Sequence, residues 1–249
     1  MRLRQGRVTA LVVAVCTVGA ALAGCGGKSG DAASSSVSPS RSAAAPAPGS
    51  KGPAPSGDGK NRAGDPLPGL PTTGDARKQL TAMKVEKPHA MSGYSRARFP
   101  HWAQQGNKCD TRETVLERDG KGVKRDGECR AVEGTWRSLY DDKTADKAGQ
   151  VDIDHIVPLA NAWRSGADKW DDDKRKAFAN DLTHPQLLTV SAASNRSKGD
   201  QSPDQWQPPS KSAWCFYGRA WTSVKTTYGL SVTEEERGML TKMLDTCTS

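Results

Sequence analysis

Several things are missing from this chain, and each absence removes a class of protein. None of its six cysteines forms a Cys-x-x-Cys pair, so the close ligand spacing of small zinc modules is absent. No internal repeat is visible, which sets aside solenoids and propellers. Only one long apolar run occurs, Val8 to Leu22, and it is too short to span a bilayer as a helix. A large excess of one sign of charge is also lacking. The formal balance is +8, but Arg2, Arg4 and Arg7 supply three of those charges, leaving +5 from Cys25 onward. Residues 25–74 carry five basic and three acidic side chains, so about +3 remains beyond them. Such mild basicity is compatible with a polyanionic substrate and argues little for one.

The ends of the chain are more informative. Three arginines followed by a short apolar run form the n- and h-regions of an export signal over residues 1–24. The signal ends in Leu22-Ala23-Gly24-Cys25, which resembles the bacterial lipobox. That resemblance implies cleavage before Cys25 and lipidation of its sulfur; the alternative is plain secretion with an idle Cys25. Either way the mature chain is expected outside the cytoplasm, lipid-anchored to the bacterial membrane in the first case. Residues 25–74 are dominated by Gly, Ser, Ala and Pro. They bury too little apolar surface to offset their ordering entropy and read as a flexible tether. The folded domain is then expected over residues 75–249.

With Cys16 in the signal and Cys25 at the lipid site, four cysteines remain: Cys109, Cys129, Cys215 and Cys247. An even number in an exported domain favours disulfides over a structural zinc site. Three pairings are possible, and Cys109–Cys129 with Cys215–Cys247 closes the two most local loops.

Periodicity gives a coarse order of elements. Ala76–Glu86 reads as an amphipathic helix stopped by Pro88, and Thr111–Arg118 as helix or strand. Asp119–Gly122 and Asp126-Gly127 are turns. Cys129–Tyr140 reads as a strand pairing near Val115. Val151–Val157 alternates Val, Ile and Ile with Asp, Asp and His, the period of a half-buried strand. Gln186–Val190 is a second apolar strand, with Ser191 able to cap a helix carrying Asn195 and Lys198. Trp214, Tyr217, Trp221, Val224 and Tyr228 recur at helical spacing, and Thr233 with Glu236 has the pattern of a capping box before the last helix.

The chemistry concentrates between Val151 and Asp200. Asp154-His155 places a hard oxygen ligand beside a side chain that can be a neutral base. Adjacent strand residues point to opposite faces, so both reach one site only where the strand ends, and Pro158 ends it. Elsewhere such a pair is usually a surface carboxylate beside a half-buried imidazole. Here Asp154-His155-Ile156-Val157-Pro158, then Leu187-Leu188-Thr189-Val190, then Asn195-Arg196-Ser197-Lys198-Gly199-Asp200 follow in order. This arrangement resembles the HNH, or ββα-metal, nuclease superfamily, and most of all the C-terminal domain of GmrSD-type restriction endonucleases in their exported bacterial versions. Cys109-Asp-Thr-Arg-Glu, Leu159-Ala-Asn-Ala-Trp-Arg-Ser-Gly, Phe178-Ala-Asn-Asp and Trp206-Gln-Pro-Pro extend the likeness over about residues 100–247.

The resemblance implies an α+β fold: a ββα-metal core with added N-terminal short strands and C-terminal helices. It implies His155 as general base, Asp154 and Asn195 as ligands of one Mg²⁺ or Mn²⁺, and Arg196, Lys198 and, more weakly, Arg112 as holders of flanking phosphates. The superfamily's middle residue, usually Asn or His, falls on Gln186, whose carboxamide would orient the base from a longer stem; Asn180, Asp181 and His184 lie close enough in sequence to substitute. His89 and His101 lie outside the motif. The implied activity is hydrolysis of DNA, or RNA, with little sequence preference, since no separate reading module is visible; no protein partner is evident. Two rivals keep the same residues: a non-catalytic nucleic-acid-binding lipoprotein that retains the fold, and a lipoprotein whose disulfide-fastened domain binds a protein or cell-wall partner.

Overall fold

The structure, a computed structural model, describes residues 65–248. The export signal, Cys25 and most of the expected tether lie outside the described residues. Seven α-helices and three small antiparallel sheets make this an α+β domain among those residues.

Folded chain begins earlier than the composition predicts. Leu67 and Leu70 are buried in the main core. Arg219 holds the segment by donating to the Pro71 carbonyl at 2.7 Å and pairing with Asp65 at 3.1 Å. The expected tether therefore ends by Asp65 rather than at 74: two leucines among the prolines are enough to dock it. Helix α1 (Thr73–Ala82) follows, capped by Thr72, and packs with α6 (Trp214–Tyr228) and α7 (Glu234–Asp245). The Cys215–Cys247 disulfide fastens the start of α6 to the end of α7.

Strands β1 (Gln104–Gly106) and β2 (Cys109–Asp110) form a small hairpin, and Asp110 caps α2 (Thr111–Asp119). The ambiguous Thr111–Arg118 stretch is thus helical. Strands β3 (Lys121–Arg125), β4 (Ala131–Arg137) and β5 (Thr144–Ala145) make a three-stranded sheet. The partner of β4 is β3 rather than a segment near Val115: Val115 is fully buried on α2, beneath β4. Cys109–Cys129 ties β2 to the β3–β4 turn.

The third sheet positions the site. Strands β6 (Val151–His155) and β7 (Leu187–Ser191) pair antiparallel in unbroken register, from Val151 opposite Ser191 to His155 opposite Leu187. Ser191 caps α5 (Ala192–Lys198), accepting from the Ser194 amide at 3.1 Å. Between the strands lie α3 (Leu159–Arg164) and α4 (Asp172–Ala179). Val151, Ile153 and Leu187 pack on Val115, Leu116 and Trp136, a minor core. Ile156, Val157, Leu188 and Val190 enter the major core with Trp163, Phe178, Tyr217 and Trp221. The sheet is therefore clamped between two apolar clusters, which fixes its end rigidly.

Candidate active site

Strand alternation sorts the acidic run of β6. Asp152 and Asp154 turn toward α5, where Asn195 Nδ2 donates to Asp152 Oδ2 at 3.1 Å and Lys198 Nζ donates to Asp154 Oδ1 at 2.9 Å. Asn195 and Lys198 share a helix face because they are three residues apart. His155 turns the other way, and its ring stacks on Trp102, with centroids 5.8 Å apart. Because β6 ends here, Asp154, His155 and Asn195 nevertheless line one cleft of about 250 Å³, together with Tyr94, Arg96, Pro158, Leu159 and Asp200.

The tautomer of His155 follows from its one hydrogen bond. Nε2 lies 2.9 Å from the Ala179 carbonyl, an acceptor only, so Nε2 carries the hydrogen and Nδ1 keeps the lone pair. Burial is the largest influence on the ring and drives its pKa down to about 3, outweighing the opposing bond to Ala179; the charges of Arg96 and Lys198 push the same way as burial. The imidazole is neutral throughout the ordinary pH range. It has the form of a base.

Asp154 is 4% exposed. Burial raises its carboxyl pKa, while Lys198 and the Tyr140 hydroxyl, which donates at 2.6 Å, pull it down. Burial likewise lowers the Lys198 ammonium, opposed by Asp154. Lys198 also donates to the His155 carbonyl at 2.8 Å, so it straps α5 to the end of β6.

Several expected roles change in light of these contacts. Lys198 has no exposed surface and is committed to Asp154, so it does not hold a flanking phosphate from the surface. Arg112 is tied to Glu113 at 2.7 Å and to the Ala148 carbonyl at 3.2 Å and does not line the cleft. Arg196 is exposed but likewise outside the lining. Gln186 does not orient His155: its carboxamide accepts from the Val157 amide at 3.1 Å and donates to the Val157 carbonyl at 3.0 Å. It thereby imitates a neighbouring strand's peptide group just before Pro158, where the paired strand has ended. The ring is steadied instead by Ala179 and Trp102. Of the candidates to replace Gln186, Asn180 bonds Ala103, Thr111 and Pro100, while Asp181 and His184 bond each other.

Sequence reasoning missed Arg96, Tyr94, His101 and Trp102. Arg96 and Tyr94 line the cleft, and His101 stands 6.4 Å from His155 by ring centroids. Trp102 adopts φ +62°, a region bulky residues rarely occupy. These residues lie about 50 positions upstream of the motif, in a stretch without periodicity; the one available signal was the Arg96-Ala97-Arg98 pair of cations among aromatics.

A larger cavity, about 690 Å³, lies beside Val85–Pro88 and the start of α7 and shares no residue with this cleft. It has carboxylates from Glu234 to Glu236 but no imidazole, so the chemistry resides in the smaller one.

A divalent ion is the group this fold would be expected to hold. Among the described residues no three His, Cys, Asp or Glu side chains cluster as a ligand cage. Magnesium seldom uses one; it takes one or two protein oxygens and leaves the rest to water and phosphate. An ionised carboxylate has about four lone-pair sites, and Lys198 and Tyr140 use two on Asp154. The Asn195 carboxamide oxygen makes no hydrogen bond with any described residue, since only its Nδ2 is engaged. Two hard oxygens thus fit such an ion, next to a competing ammonium.

Comparison with known proteins places the chain in a family. The family described as GmrSD restriction endonucleases, C-terminal domain, matches residues 110–243, just over half of the chain and all of β6, β7 and α5. A protein described as an uncharacterized secreted protein, from Arthroderma benhamiae, is 49% identical over 180 residues, covering 72% of this chain and 88% of its own length. No solved structure matches.

Proposed function

Because the chain belongs to the family of GmrSD restriction endonuclease C-terminal domains, we propose that it is a metal-dependent endonuclease of the ββα-metal type, hydrolysing phosphodiester bonds of DNA, or RNA, with little sequence preference. One observation carries the reading: a neutral imidazole with a free nitrogen faces the same cleft as a buried carboxylate and a carboxamide. The relative from Arthroderma benhamiae described as a secreted protein and the export signal read from residues 1–24 support action outside the cytoplasm, with Cys25 as lipid anchor.

In this mechanism His155 Nδ1 takes a proton from water as the oxygen attacks phosphorus, and the bond from phosphorus to the 3′ oxygen breaks. Ala179 holds the ring so that Nδ1 stays the basic nitrogen. Mg²⁺ or Mn²⁺ held by Asp154 and Asn195 would supply Lewis-acid stabilisation of charge on the phosphate and the departing oxygen. Lys198 favours the ionised form of Asp154 against burial and fixes α5 against β6.

The test incubates the purified full chain with supercoiled plasmid and either metal. Nicking that disappears in chelator and in His155→Ala supports the proposal; undiminished nicking in that variant removes His155 from the chemistry. A second reading, binding without turnover, draws on the Lys198 ammonium lying against Asp154. Retention of DNA with no cleavage in any divalent metal would favour it.

A further inference from the structure

Resting on the nuclease reading, we propose that Arg96 receives the substrate's phosphodiester in the His155 cleft, the role that the sequence suggested for Lys198, Arg196 and Arg112. The charge balance of the lining leads there. Asp154 is matched by Lys198 at 2.9 Å and Asp200 by Arg164 at 2.9 Å. His155 and Asn195 are neutral. Asp152, bonded to the Asn195 amide, does not line the cleft. Arg96 is thus the charged residue of the lining that has no ion-pair partner among the described residues, and its sign is opposite to that of a phosphodiester.

Its setting suits the task. Arg96 is exposed and its guanidinium makes no hydrogen bond or ion pair with any described residue. The neighbouring cations are engaged: Arg98 lies 3.6 Å from Asp172 and over the Trp163 ring, and Arg164 also donates to the Asp200 carbonyl. Arg96 starts a single turn, Arg96–Arg98, whose following residue Phe99 is fully buried, so its backbone is anchored while its side chain is free. A planar fork with several donors can grip two phosphate oxygens at once. Tyr94, two residues earlier, is edge-on to Trp163 at 5.8 Å and forms the adjoining wall, against which a sugar or base can rest.

The experiment uses the full chain, its Arg96→Ala and Arg96→Lys variants, and each of these combined with His155→Ala. Plasmid nicking gives KM and kcat. Binding of a short fluorescein-labelled single-stranded oligonucleotide, followed by anisotropy over a salt series, gives affinity and salt slope in the His155→Ala background. Because the Arg96 side chain makes no hydrogen bond or ion pair with any described residue, Arg96→Ala is expected to keep the melting temperature. It should raise KM on the order of tenfold, with a smaller change in kcat, and reduce the salt slope by about 1. Arg96→Lys should restore the slope and only part of the affinity. Wild-type cleavage with unchanged KM and slope in Arg96→Ala overturns this inference and leaves the nuclease standing. Binding without cleavage in any metal overturns the nuclease, and the anisotropy series still decides for or against Arg96. A chain that neither binds nor cuts overturns both.

Discussion

Burial raises the Asp154 carboxyl, Lys198 and Tyr140 oppose it by favouring the charged form, and neither partner can leave without cost. Removing one member of a buried pair strands the other, so Lys198→Met should destabilise the domain by about 3–5 kcal/mol, read from urea denaturation; a loss under ~1 kcal/mol would mean that water reaches the pair. His155→Ala should leave folding nearly intact and lower nicking by about 10²–10⁴-fold. At this scale the motif was legible. Asp154-His155 and Asn195 announce themselves by type and spacing, and the cleft gathers all three. Lys198 was not legible, because a lysine three residues beyond Asn195 reads as a solvated helix charge until β6 is known to lie beneath it. Arg96 was invisible for the opposite reason: only the folded chain brings its loop to the end of β6.

Elements hold the site through their ends. Gln186 supplies Val157 with both a donor and an acceptor, so Gln186→Ala leaves a buried amide and carbonyl unmet and should cost about 2–4 kcal/mol by chemical denaturation. Gln186→Asn, one methylene short, should recover little of it. The loop before β7 is fixed by Asp181, which accepts from Thr183, His184 and Tyr228. Burial would raise the Asp181 carboxyl, but these bonds, led by His184, outweigh it and hold the pKa at about 2. A depressed carboxyl stabilises the fold above its unfolded value of about 3.9 and ceases to as pH falls through 2. The wild-type melting temperature should therefore drop over that window by the equivalent of about 2 kcal/mol, and Asp181→Asn should flatten it. His184 has the opposite sign. Its pKa is raised by the same bond, so its contribution is complete below about 6.5 and fades as pH rises through the higher folded value. Element types were mostly readable from period and turn residues, pairing less so. The Asp119–Gly122 turn hid the start of β3, and Glu236, read as half of a capping box, spends its carboxylate on buried Lys225 and Trp221 instead; only the Thr233 cap forms.

At the scale of the domain, the two disulfides among the described residues fasten the periphery rather than the site: Cys109–Cys129 at the small sheets, Cys215–Cys247 at the C-terminal helices. The second closes a loop of separation 32, for which chain-entropy reasoning gives about 3–4 kcal/mol. Cys215→Ala with Cys247→Ala should lower the melting temperature accordingly yet leave the KM for plasmid unchanged; a shifted KM would reveal that α6 transmits strain to the cleft. Both pairings were readable because locality favours them, whereas the N-terminal limit was not, since Leu67 and Leu70 are too few to stand out among prolines. That limit has a mechanical consequence. Force applied at Asp65 meets the clasp to Arg219 and the two docked leucines before it reaches α1, so the segment ahead of α1 would peel first as a sacrificial hem while the end of β6, some 90 residues downstream, keeps its shape.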